Sequence, residues 1–207
     1  MRRIGLLGGS FNPAHRGHRR MSLAAIGELG LDELWWLVSP GNPLKPVKGM
    51  APYPARLASA RVMARRSRIL VSTFEARAGT RYTIDTLAAL VRRYPADRFI
   101  WLMGADTVTQ FHQWKAWRRL AQSVAIAVLS RPGYDGPARA ARAMGWLRHF
   151  VHPAATARQW TDWSVPAITF LRLPPDPTSA TRLRALNPDW HRRFADRPGA
   201  ASVRDKE

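Results

Sequence analysis

The chain has 207 residues, a formal net charge of +19 from 33 Lys and Arg against 14 Asp and Glu, and no cysteine. That length suits one domain with a real core, and the lack of cysteine excludes disulfide frameworks, zinc ribbons and thiol catalysis. The longest apolar stretches, such as VAIAVL (124–129) and LWWLV (34–38), are too short to span a bilayer, and the opening MRRIGLLGGS loses its apolar character too soon for a signal peptide.

A soluble, cytoplasmic protein is therefore expected, with a single domain over 1–197 and a frayed tail over 198–207. The charge is uneven. No acid lies between Glu33 and Glu75, while Lys45, Lys48, Arg56, Arg61, Arg65, Arg66 and Arg68 all do. Such a field favours polyanions: nucleic acid, anionic membrane or small phosphorylated substrates. Arginine outnumbers lysine 29 to 4, so GC-rich codons account for part of the excess.

Six apolar runs follow one another along the chain. RIGLLGG (3–9) is the first, and after FNPAHRGH a helix is predicted to begin near His15, with Met21, Ala25 and Leu29 on one face. ELWWLVS (33–39) is the second, followed by a Pro/Gly-rich loop, SPGNPLKPVKGMAPYP (39–54), long enough to suggest a function. Arg61, Arg65 and Arg68 then recur at the spacing of a solvated helix face. RILVSTF (68–74) is the third run. A helix is predicted over 83–94 from the stripe Ile84, Leu87, Ala88 and Val91, ended by Pro95. RFIWLMG (98–104), SVAIAVLS (123–130) and AITFLRL (167–173) complete the set, with 149–166 irregular.

These runs are nearly continuous rather than alternating, as buried parallel strands are. Strand–helix alternation predicts an α/β fold: a doubly wound, mainly parallel sheet of about six strands with helices on both faces. Ligands of such sheets sit beyond the carboxyl ends of the strands. The GGSFNPAHRGH motif (8–18) lies at such an end.

That motif is neither a Rossmann fingerprint nor a P-loop. Gly8 and Gly9 can let backbone N–H groups approach an anion. His15 and His18 fall at i, i+3 in the first turn of a helix, where the dipole already attracts anions. Three chemistries compete. A metal site lacks further ligands, since His112, His149, His152 and His191 are scattered. A Ser10 nucleophile lacks the G-x-S-x-G elbow and an acid partner. A phosphate cradle fits the paired glycines and histidines best, with simple capping or packing as the plain alternative.

GGSFNPAHRGH resembles the G-G-[ST]-F-[DN]-P-x-H-x-G-H signature of the HxGH nucleotidyltransferase superfamily, and TSATRLR (178–184) resembles its second signature, S-S-T-x-I-R. The pieces between them, NPLK (42–45), RYTIDTL (81–87), GAD (104–106), FHQW (111–114) and SRPGY (130–134), are similar to those of the bacterial nicotinate-nucleotide adenylyltransferases. The likeness runs from residue 3 to about 188. Two positions depart: Leu44 replaces the histidine of the usual P-P-H-K, and Ala180 replaces a serine of the second signature.

The resemblance implies a Rossmann-like nucleotidyltransferase fold that joins ATP and nicotinate mononucleotide into deamido-NAD and pyrophosphate. It implies that Gly8, Gly9, Ser10 and Phe11 approach ATP, that His15 and His18 donate to its phosphates, and that Ser179, Thr181 and Arg184 meet them from the far end of the chain. Gly104 and Asp106 would hold the adenosine. Lys45 would meet the mononucleotide phosphate, with Thr83 and Ile84 holding the pyridine nucleotide and Trp114 stacking on its ring. Mg²⁺ would travel with ATP, the motifs offering no carboxylate cluster to cage it. Related adenylyltransferases acting on nicotinamide mononucleotide or phosphopantetheine are the neighbouring alternatives. A basic nucleic-acid-binding protein is the alternative of another class, although neither aromatic platforms nor a basic groove-entering helix stands out.

Overall fold

The computed structural model describes residues 1–41, 49–130, 133–174 and 176–194 of the chain; the expected tail over 198–207, and Leu44 and Lys45, lie outside them. In chain order the elements are β1 (Arg3–Gly9), α1 (Arg16–Leu29), β2 (Glu33–Val38), α2 (Tyr53–Ala64), β3 (Ile69–Ser72), α3 (Phe74–Ala78), α4 (Thr83–Arg93) and β4 (Arg98–Gly104). Then come α5 (Ala105–Val108), α6 (Trp117–Ala121), β5 (Ala125–Leu129), α7 (Asp135–Arg139), α8 (Met144–Leu147), β6 (Val151–His152), β7 (Ile168–Leu171) and α9 (Ala180–Leu186), with 3-10 turns between some of them.

All six apolar runs are strands. A seventh, the two-residue β6, lies in the stretch read as irregular and joins the sheet edge by pairing Val151 with Ile168 and His152 with Thr169. The sheet is parallel throughout, in the order β3-β2-β1-β4-β5-β7-β6. The chain winds outward from β1 to β3, then returns to lay β4 against the other side of β1. A crevice therefore opens at the carboxyl ends of β1 and β4, where such sheets bind ligands.

Alternate residues of every strand but the short β6 feed two cores, one on each face. Leu7, Leu34, Trp36, Ile100 and Leu102 pack under α1 and α2; Leu6, Trp35, Leu37, Trp101 and Met103 pack on the other face with Leu87 and Leu90 of α4. Each such side chain contributes about 1.5–3 kcal/mol on burial. The Trp36 indole N–H donates to Ser22 Oγ at 2.8 Å, so its polar atom is satisfied inside the core.

Helix α1 stops where Gly30 turns left-handed at φ 58° and Leu31 N–H reaches back to Ile26 O at 3.0 Å. Helix α4 starts and ends close to the prediction, but its buried face is Thr86, Leu87 and Leu90, with Ala88 and Val91 exposed. Thr86 tolerates burial because its hydroxyl meets Tyr82 O and the Thr80 hydroxyl. The arginine stripe is also revised: α2 ends at Ala64, so Arg65 and Arg68 share no helix face with Arg61, and Arg68 instead donates to Leu31 O.

Candidate active site

The first signature is a tightly supported loop between β1 and α1. Glycine is required at position 8 because a Cβ there would sit 2.8 Å from Cη2 of Trp101. Phe11 adopts φ 46° and is only 2 % exposed, its ring stacked on Trp36 at 4.9 Å and beside His18 at 5.1 Å. Its ring is therefore spent on packing, and any approach to ATP falls to its backbone.

Asn12 ties three segments together. Its Nδ2 donates to Gly49 O at 3.0 Å, its Oδ1 accepts from Ala51 N–H at 3.2 Å, and its own carbonyl accepts from Arg184 Nη1 at 2.6 Å. Ala14 N–H donates to Ser59 Oγ on α2 at 3.2 Å. Asn12 and the Ala14 N–H thus have partners that also fix their positions.

His15 is the N-cap of α1 and is 8 % exposed; His18 lies half-buried one turn on, with ring centroids 3.8 Å apart. The backbone N–H of His15 donates to His18 Nδ1 at 3.2 Å. That bond uses the Nδ1 lone pair, so neutral His18 carries its proton on Nε2 and donates from there. Gly17, between them, is closely packed: a Cβ would lie 3.0 Å from His15 Nδ1 and 3.3 Å from Thr178 O, tight enough that both would have to shift.

That last contact joins the two signatures. Asp176 accepts from Thr178 N–H at 2.9 Å and pairs with Arg16 at 3.4 Å and Arg20 at 3.2 Å on α1. Thr178 and these arginines hold its carboxyl down to about 2. Ser179 caps α9, its Oγ accepting from Arg182 N–H at 3.2 Å. Arg184, one turn into α9, bridges Asn12 O and, at 3.3 Å, Thr181 Oγ1. Its planar fork thereby braces the first signature, while Arg182 is exposed.

Beside this cluster, at the ends of β1 and β4, is a cavity of about 270 Å³. Of the expected residues, Gly8, Gly9, Thr83, Gly104, Asp106 and Trp114 line it. A Cβ on Gly104 would collide with the Asp106 carboxylate as it is placed, so the two residues pack directly together. Trp114 meets Trp101 edge-on at 6.1 Å and Phe111 at 5.4 Å, keeping one half-buried ring at the cavity wall. Ile84 is not on that wall and packs on the core instead. His15, His18, Ser179, Thr181 and Arg184 lie outside the cavity wall, in the neighbouring cluster.

Several lining residues were not anticipated: Ser39, Glu75, Arg81, Trp101, Gln110 and Lys115. Burial pushes the Glu75 carboxyl up to about 7, against hydrogen bonds from Ser39 and Thr86 that favour its ionised form. Lys115 pairs with Asp85 at 3.0 Å and lies over the Tyr82 ring at 4.6 Å. One signal was available: Glu75 is the lone acid between Glu33 and Asp85. Among the described residues no group of three His, Asp or Glu side chains could hold a metal ion.

Known proteins resemble this chain in sequence and in fold. The cytidylyltransferase-like family matches residues 6–186. A probable nicotinate-nucleotide adenylyltransferase of Erythrobacter litoralis is 56% identical over 192 residues, 93% of this chain and 88% of that protein. Its counterpart in Parvibaculum lavamentivorans is 52% identical over 88% of this chain and 90% of that one. Among solved structures, a Plasmodium falciparum nicotinic acid mononucleotide adenylyltransferase complexed with NaAD superposes with a TM-score of 0.65 at 17% identity, covering 89% of this chain and 83% of that chain. At that identity the likeness speaks for the fold alone.

Proposed function

The chain belongs to the cytidylyltransferase-like family and, within it, to the nicotinate-nucleotide adenylyltransferases, and from that membership we infer that it joins ATP and nicotinate mononucleotide into deamido-NAD and pyrophosphate, a step of NAD biosynthesis. The observation that carries the reading is the meeting of two signatures from opposite ends of the chain, at Asn12 and Gly17, beside a cavity at the ends of β1 and β4.

The chemistry asks little covalent work of the protein. The attacking group is a phosphate monoester with a second pKa of about 6, already largely a dianion at neutral pH. No general base is needed. The barrier lies in bringing that dianion in line with the α-phosphate of another polyanion, so positioning and charge stabilisation supply the catalysis.

In this reading His18 donates from Nε2, and His15 from its ring, to the phosphate oxygens on which charge grows. Arg184 swings from Asn12 O to the β- and γ-phosphates, where its fork matches phosphate geometry. Ser179 and Thr181 offer hydroxyls at the start of α9, while Gly8, Gly9, Ser10 and the Phe11 backbone line the approach. Gly104 and Asp106 hold the adenosine. Thr83, with the backbone through Ile84, and Trp114 hold the pyridine nucleotide, and Lys45 meets its phosphate. Nucleotidyltransferases of this kind generally use a divalent metal; we take it to be Mg²⁺ arriving on the triphosphate as part of the substrate. No helix among the described residues is long and apolar enough to cross a membrane, and we place the enzyme in the cytoplasm.

The test is pyrophosphate release with Mg-ATP and, in turn, nicotinate mononucleotide, nicotinamide mononucleotide and phosphopantetheine. The expected result is the largest kcat/KM with nicotinate mononucleotide. A preference for either of the others overturns the substrate assignment, and no release with any overturns the reaction.

A further inference from the structure

Arg56 was read as one more cation in a basic stretch, yet it is 1 % exposed on the inner face of α2. No carboxylate among the described residues pairs with it. Its guanidinium donates to four backbone carbonyls: Nε to Ala51 O at 3.0 Å, Nη1 to Ser10 O and Ser39 O at 2.7 Å each, and Nη2 to Pro40 O at 3.0 Å. The Tyr53 ring covers it at 5.3 Å. A buried charge is costly unless its hydrogen-bonding capacity is met, and here carbonyls from three separate segments meet it.

Those segments are the chain leaving β1, the chain leaving β2 and the approach to α2. Ser10 lies between the Gly8–Gly9 strand end and Asn12, the residue that accepts from Arg184. Ser39 is on the cavity wall. One side chain thus fixes both loops that flank the cradle. Only a planar group with five N–H donors can serve four carbonyls in this way; a lysine ammonium has three.

We propose that Arg56 is a positioning residue for adenylyl transfer: it holds the Ser10 and Ser39–Pro40 carbonyls so that the loop carrying Asn12, His15 and His18 presents one fixed face to the ATP phosphates. Its charge, which no described carboxylate neutralises, stays behind that face and adds to the positive potential an approaching polyanion meets. The inference rests on the adenylyl-transfer reading above, and its test separates the two.

Arg56→Lys and Arg56→Met are compared with the wild type by circular dichroism, steady-state pyrophosphate release and hydrogen exchange of the peptide covering Ser10–His15. Arg56→Lys should keep the fold and lower kcat at least tenfold, with the KM for the mononucleotide changing less than threefold. Exchange in the Ser10–His15 peptide should quicken while β4 and β5 stay protected. In a His18→Asn background the same substitution should cost less than threefold, because the loop it orders no longer carries the donor it served. A kcat within twofold of wild type, an equal cost in both backgrounds, unchanged exchange, or unfolding of both variants overturns the proposal. If the wild type releases no pyrophosphate, the reaction assignment fails, and the exchange comparison still decides whether Arg56 holds the loop.

Discussion

Replacing Gly17 with alanine separates what the first signature owes to stability from what it owes to catalysis. In a helix, Gly→Ala stabilises by roughly 0.4–1 kcal/mol through the unfolded chain. Against this, the new methyl lies 3.0 Å from His15 Nδ1 and 3.3 Å from Thr178 O, so the imidazole and the second signature must each yield by a few tenths of an ångström. The two effects nearly offset, and the melting temperature should stay within about 4 °C of wild type. Catalysis is less forgiving. A displacement of ~1 Å costs about a hundredfold, so ~0.5 Å at His15 should cost roughly tenfold, ~1.4 kcal/mol in the barrier. Thermal unfolding followed by circular dichroism and kcat/KM from pyrophosphate release measure the two sides. A Gly17→Ala enzyme within twofold of wild-type kcat/KM would refute the idea that this glycine sets the spacing of His15 against Thr178. A large fall in melting temperature would show that the neighbours cannot yield.

Other outcomes follow from the same geometry. His18→Asn removes the Nε2 donor and should lower kcat by roughly a hundredfold or more with little change in melting temperature; turnover near normal removes His18 from the mechanism. Trp114→Ala should raise the KM for the mononucleotide far more than that for ATP, whereas equal rises would assign the ring to packing against Trp101 and Phe111. The Glu75 carboxyl is lifted from 4.5 to about 7 by burial, so the unfolded chain releases its proton first. Stability should therefore fall as pH rises from about 4.5 to 7, and Glu75→Gln should flatten that part of the profile; an unaltered slope contradicts the burial. Asp176 is the reverse case, drawn down to about 2 by Thr178, Arg20 and Arg16. Its contribution is complete above about 4 and lost as pH falls toward 2, and Asp176→Asn should remove that acid-side loss; an identical acid profile would argue against the link.

The strands were legible because a parallel strand covered on both faces must be apolar along its whole length, and LWWLV or VAIAVL can be little else. The two residues of β6 carry no such signal; their strand character exists only through pairing with Ile168 and Thr169. The face of α4 was misjudged by a residue because Thr86 looks polar until Tyr82 O and Thr80 satisfy it. The signatures stand out in the sequence because their pattern is local: paired glycines, paired histidines, a cap and an arginine one turn later. Arg56 and Trp101 do not, and Glu75 stands out only as an isolated acid. Each takes its role from segments distant in sequence, and an arginine that binds carbonyls has the same letter as one that faces water.

The second signature follows the last strand of the sheet and is tied back to α1 by Asp176 and to the first loop by Arg184. All seven strands precede it, ending at Leu171. During vectorial synthesis the sheet can therefore form while the second signature is still inside the ribosome. A nascent chain interrupted at residue 174 would hold every strand of the described sheet, yet lack the ties that Asp176 makes to α1 and Arg184 makes to Asn12, and the Trp190 ring that is buried against the fold.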